Sequence, residues 1–175
     1  PSMAGSIGGC AEVGVRGWGP SVLPVLGLAL SLSACSRPSD GEGESRVQLL
    51  AMHEQVLEAH RTGDVEQWMA VEGDDYVSAN GGTITFPTTG ERRAMREPYL
   101  LSTSFEVYRD LQDPIVEVSP DGQLGWVIAQ VEMRGTQTSS DSSTHPIEAV
   151  WAWIELYRKV DGAWKLVGNV SNRPD

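Results

Sequence analysis

The feature that most restricts this chain lies near its end. Residues Ile147 to Val160 alternate strongly, Asp161-Gly162 follows, and Ala163 to Ser171 alternate again. Asp-Gly accepts the left-handed backbone of a two-residue turn, so the two runs are predicted to pair as an antiparallel hairpin. With that turn, Val160 faces Ala163, Lys159 faces Trp164 and Tyr157 faces Leu166. Successive strand side chains point to opposite faces. One face therefore collects Trp151, Trp153, Glu155 and Tyr157, joined by Trp164, Leu166, Val170 and Asn172. The other collects Val150, Ala152, Ile154, Leu156, Val167 and Asn169. Both faces are apolar enough to need cover.

The cover comes from upstream. Arg46 to Thr62 carries apolar residues at three- and four-residue spacing (Leu49, Met52, Val56, Ala59), which predicts a helix. Gly63 ends it, and Asp64 caps a second short helix with Trp68 and Met69 inward. Two short strands, Tyr76 to Ser78 and Thr83 to Phe86, flank an Asn80-Gly81-Gly82 turn. A third helix opens at Thr89 or Gly90. The remainder is β-rich: Glu106 to Val118 with a break at Asp113-Pro114, then Leu124 to Gly135, a polar loop from Thr136 to Pro146, and the hairpin. Helices segregated from a meander define an α+β class, with about three helices on a strongly curved, mainly antiparallel sheet. Such a sheet closes into a cone with a cavity at one end.

The first residues read as an address. Val22 to Leu32 is an apolar run of signal-peptide length, too short to span a bilayer. It ends in Leu32-Ser33-Ala34-Cys35, which resembles the bacterial lipobox, with Cys35 as the lipidated residue. Only Arg16 supplies a positive lead, and Met3 and Val15 are both candidate starts, since Pro1 is no initiator. The expected organisation is residues 1–34 as signal peptide and upstream residues, 35–45 as lipidated cysteine and flexible tether, and 46–175 as the domain. The expected location is the bacterial cell envelope, with Ser36 pointing to the outer membrane where one exists.

Composition excludes several classes. A net charge of −11 opposes binding to nucleic acid, whose phosphates need Lys and Arg to displace their counterions. It equally opposes adsorption to anionic lipid. The two cysteines, Cys10 and Cys35, form no zinc spacing. His53 and His60 are seven residues apart on one helix, about 10 Å by helix rise, too far for one metal ion. They and His145 are expected at solvated positions. No GxSxG elbow, GxGxxG or phosphate loop occurs. No cofactor or metal is expected.

Two segments carry a family likeness. Glu58-Ala59-His60-Arg61-Thr62-Gly63-Asp64 followed by Trp68, and the hairpin Trp153 to Val167 with its Asp161-Gly162-Ala163-Trp164-Lys165 tip, resemble the nuclear transport factor 2-like (NTF2-like) superfamily. That group includes ketosteroid isomerase-like and SnoaL-like proteins. The likeness covers about residues 46–175. It implies the cone-shaped fold and a homodimer formed through the sheet. It leaves function open, because the fold hosts enzymes, binding proteins and assembly domains.

The candidate pocket residues are Trp68, Tyr108, Trp126, Trp151, Trp153, Tyr157 and Asn172; aromatic walls with few polar groups suit small molecules. The same aromatics also suit a packed core or a dimer face. Glu155, set between Trp153 and Tyr157, is the most informative residue, because an unpaired carboxylate there is costly to desolvate. It is a candidate acid or base, with Asp110 as its catalytic companion; pairing with Arg109 or Arg134 is the alternative. Three readings follow: a lipid-anchored domain that binds a small hydrophobic molecule without catalysis, an isomerase-, dehydratase- or cyclase-like enzyme using carboxylates, and a dimeric assembly module.

Overall fold

The computed structural model describes residues 40–172. The apolar run Val22 to Leu32 and Cys35, which carry the export and lipidation expectations, lie outside the described residues. Among the described residues, no helix is long and apolar enough to cross a membrane.

The elements run α1 (Asp40–Thr62), α2 (Val65–Val71), β1 (Glu72–Asn80), β2 (Thr83–Thr85), α3 (Thr89–Ser102), β3 (Thr103–Asp110), β4 (Ile115–Val118), β5 (Leu124–Thr138), β6 (Thr144–Val160) and β7 (Ala163–Asn172). The α+β expectation therefore holds, with three helices against one curved sheet. Strands are ordered β2-β1-β7-β6-β5-β3, and β4 pairs with the near end of β5. Every pairing is antiparallel except β1 with β7.

The local signals act as the sequence suggests. Gly63 adopts φ +72° after α1, and the Asp64 carboxylate accepts from the Gln67 amide at 3.0 Å to cap α2. Thr88 and Glu91 form a reciprocal capping box at the start of α3. Asp161 and Gly162 both take positive φ, as the tight hairpin requires.

Two boundaries differ. The tether expected through residue 45 is corrected, because α1 already begins at Asp40. Glu42 and Glu44 sit one turn before Arg46 and Gln48 and accept hydrogen bonds from them at 3.3 and 3.1 Å. Arg46 also donates to Glu117 at 2.7 Å, tying this first stretch to β4. The polar loop expected from Thr136 to Pro146 shrinks to residues 139–143. Thr136, Gln137 and Thr138 pair with Pro146, His145 and Thr144 and extend both strands.

The inner face of α1 builds the core. Leu49 and Val56 pack with Val71, Tyr76, Val116, Val127, Tyr157, Trp164 and Leu166. Leu57 packs with Tyr108, Ala129 and Val131. The inward residues of β5 are thus Val127, Ala129 and Val131, so Trp126 and Ile128 point outward. On the outer face a row of apolar side chains crosses six strands in register: Ile115, Ile128, Ile154, Val170, Ala79 and Ile84.

One irregularity decides what faces inward on β7. The predicted pairing holds from Val160 with Ala163 to Tyr157 with Leu166. Leu156 then pairs with Gly168, which leaves Val167 as the extra residue of a bulge. One extra residue inverts the side-chain phase beyond it. Asn169 and Ser171 consequently sit opposite Glu155 and Trp153, on the inner face, while Val170 and Asn172 turn outward.

Candidate functional site

Between the helices and the inner face of the sheet lies a cavity of about 330 Å³. Its walls are mostly aromatic. Trp68 comes from α2, Tyr99 from α3, Tyr108 from β3, and Trp151 and Trp153 from β6, with Tyr76, Val56, Met133 and Leu166 between them. Polar groups enter at a few points: His60 from α1, Glu155 from β6, and Asn169 and Ser171 from β7.

Glu155 is 2% exposed, and its carboxylate is held on both oxygens. Trp153 Nε1 donates to Oε1 at 2.8 Å, and the Tyr157 hydroxyl donates to Oε2 at 2.8 Å. His53 Nδ1 lies 3.0 Å from both oxygens. The far nitrogen of the same ring, Nε2, lies 3.2 Å from Asp110 Oδ1. Ionised carboxylates only accept, so the imidazole between them carries a proton on each nitrogen and a positive charge. Burial opposes that charge, but hydrogen bonds to Asp110 and Glu155, together with their negative charges, outweigh it and raise the His53 pKa to about 10. One imidazolium thus joins α1 to β3 and β6 at the base of the cavity.

His60 is the opposite case. It is 5% exposed, and its Nδ1 sits 2.7 Å from the Val56 carbonyl one turn back. Its ring stacks on Tyr108 at 4.3 Å and lies 4.2 Å from Trp68. Burial disfavours its protonation, with the Val56 carbonyl only partly compensating, and the pKa falls to about 4. At neutral pH this imidazole is uncharged. The hydroxyls of Tyr76 and Tyr99 are pushed up to about 12 by burial and stay protonated.

Behind Trp68 and Tyr76 a second ionic cluster closes the wall. Arg92, 1% exposed, donates to Glu72 at 2.9 Å and to the Gly73 carbonyl at 2.7 Å. Arg96 pairs with Glu72 and lies over the Trp68 ring, 4.5 Å from its centroid.

Trp68, Tyr108, Trp151, Trp153 and Glu155 line the cavity. Asp110 does not; it stands on the far side of His53. Neither Arg109 nor Arg134 reaches Glu155, since both pair with Glu132. Trp126 is corrected: it points to the outer face, opposite Glu117 and Leu156. Tyr157 is corrected too, being buried behind Glu155, where its hydroxyl supports the carboxylate instead of forming wall. Asn172 is exposed on the outer side because of the bulge, and Asn169 and Ser171 take its place. The expectation of solvated helix histidines is overturned at both His53 and His60, which are 2% and 5% exposed. Their signal was present in the spacing, because Leu49, His53, Val56 and His60 recur at four, three and four residues, on one helical face.

A curved, mostly antiparallel sheet wrapped on three helices is the fold of NTF2-like and ketosteroid isomerase-like proteins, and this domain has it. An NTF2-like protein from Cytophaga hutchinsonii superposes with a TM-score of 0.58 at 18% identity, covering 74% of this chain and 98% of that one. A ketosteroid isomerase-like protein from Erwinia carotovora atroseptica gives 0.59 at 18%, covering 75% and 98%. An NTF2-like protein from Rhodospirillum rubrum, described as of unknown function in nutrient uptake, gives 0.56 at 19%, covering 73% and 98%. By sequence, no family model and no curated protein matches the chain.

Proposed function

We propose that the domain binds a small, neutral, largely apolar molecule in the aromatic cavity, and that Cys35 anchors it by lipid in the bacterial cell envelope. The observation that carries the binding reading is the state of Glu155. Its two oxygens already accept from Trp153, Tyr157 and the His53 imidazolium, so it is a hydrogen-bonded wall group and not a bare buried carboxylate. The two ionic clusters carry opposite charge: Glu155 and Asp110 on the His53 imidazolium leave a net −1, Glu72 with Arg92 and Arg96 leaves a net +1, and the two together sum to zero. Taken together the two clusters present no net charge, which suits a neutral guest. A cavity of about 330 Å³ lies in the range of small-molecule sites, roughly 300–1,000 Å³.

Calorimetric titration of the purified chain with bicyclic aromatic probes tests this. Binding in the wild type, abolished when Ser171→Trp fills the cavity, is the expected result. Failure of every such probe to bind counts against it. Anchoring is tested separately: Cys35→Ser should move the protein from the membrane to the soluble fraction.

A second reading, acid/base catalysis, is favoured by one feature. Glu155, His53 and Asp110 form a continuous chain from the cavity wall to a carboxylate whose side chain is 22% exposed. Such a chain lets Glu155 accept a proton from a bound carbon acid while His53 passes its own outward to Asp110. Deuterium exchange into a small cyclic ketone in heavy water, lost in Glu155→Gln, would support catalysis. No exchange above the buffer rate would eliminate it for that class. The apolar outer row supports a third element of the proposal, self-association through the sheet.

A further inference from the structure

We infer that His60 makes the cavity selective for a neutral ligand bearing a hydroxyl or N–H donor, such as a phenol or a comparable hydroxylated ring, whose hydrogen its Nε2 accepts. This rests on the binding reading above and specifies the ligand class.

The tautomer follows from the geometry. The Val56 carbonyl can only accept, so Nδ1, 2.7 Å away, is the nitrogen that carries the proton. Nε2 is left with a bare lone pair, and no described residue donates to it. The ring lines the cavity while remaining 95% buried. Its orientation is fixed on both sides, by Tyr108 stacked at 4.3 Å with an interplanar angle of 10°, and by Trp68 at 4.2 Å. An acceptor held this firmly in an aromatic enclosure discriminates by penalty. A guest with a donor satisfies it, whereas an isosteric guest without one strips its water and returns nothing. The Trp68 face that Arg96 covers is closed to a cation. Anions are not selected, because the lone pair repels them and burial keeps the ring uncharged.

The partition of roles is clear from the other wall groups. The hydroxyls of Tyr76 and Tyr99 donate as well as accept, so they tolerate guests of either kind. Glu155 also only accepts, but its oxygens are already engaged by Trp153, Tyr157 and His53, so among the described lining residues the His60 Nε2 is the acceptor left open at neutral pH.

Three probes of nearly equal shape separate the possibilities: naphthol, its methyl ether and naphthalene. In calorimetric titrations of the full wild-type chain, naphthol is expected to bind about tenfold more tightly than either of the others. In His60→Phe, which keeps a flat ring between Tyr108 and Trp68, the three affinities should converge to within about twofold. The nitrogen NMR signal of His60 Nε2 in the wild-type chain provides a reading that needs no variant. It should move on adding naphthol and stay in place with the methyl ether. Equal affinity for naphthol and its ether in the wild type overturns the inference and leaves the binding reading standing, as does a naphthol preference that survives in His60→Phe. Binding of none of the three overturns both together.

Discussion

Two histidines on one helix are held in opposite charge states, and the contrast sets how stability depends on pH. His53 has a folded pKa of about 10, above its unfolded value near 6.5, because its two carboxylate partners outweigh burial. Its contribution is complete below the unfolded value and is lost as pH rises from about 6.5 through 10. His60 has a folded pKa of about 4 because burial excludes its charge. Its contribution is present above about 6.5 and is lost as pH falls towards 4. The two limbs meet near neutrality, where unfolding free energy from urea titration should be maximal. His53→Asn should flatten the limb between about pH 6.5 and 10, and His60→Phe should soften the acid limb. A wild-type profile that rises steadily from neutrality to pH 10 would contradict the imidazolium assigned to His53.

At the scale of elements, close approach is as informative as pairing. A Cβ placed on Gly135 would strike the backbone carbonyl of Ser104, where β3 shifts register against β5. Backbone cannot step aside as a side chain does, so Gly135→Ala should cost about 1–3 kcal/mol in chemical denaturation. Gly125→Ala should cost less, since its nearest neighbour is the end of the flexible Leu49 side chain, at 2.5 Å. Equal losses at the two sites would refute this account of the β3–β5 crossing. Element order was legible in the sequence because turn chemistry and periodicity are local: Asp161-Gly162, Gly63 and Asp64 each act through neighbours within a few residues. The inward face of β6 was legible for the same reason. The Val167 bulge was not. It arises where β7 must pair with β6 on one side and parallel β1 on the other, a constraint carried by residues some ninety positions away. Because the bulge inverts phase, one unseen residue was enough to exchange Asn172 for Asn169 and Ser171. The partners of His53 were hidden in the same way, since Glu155 is 102 residues distant.

At the scale of the whole molecule, the outer sheet face and the net charge pull in opposite directions. Ile115 and Ile84 are more than half exposed at the ends of the six-strand row, and Val170 and Ile128 are only partly covered within it. Contiguous apolar surface of this kind favours a second copy. A net charge of −11 on each copy opposes the approach. Self-association should therefore tighten with salt, as screening removes repulsion and leaves burial untouched. Sedimentation equilibrium should show dimer at moderate salt, and Ile154→Lys at the middle of the row should return monomer. A wild-type chain that stays monomeric at high salt would rule out this face as an interface.

The spacing of His53 and His60 has one more consequence. Both ride on a single rigid rod, seven residues apart, and each added or deleted residue between them would rotate one against the other by about 100°. The clamp beneath the cavity and the acceptor in its wall are therefore geared together. Divergence can repaint the solvent-facing side of that rod, but it cannot change the number of teeth between those two positions without disengaging one of them.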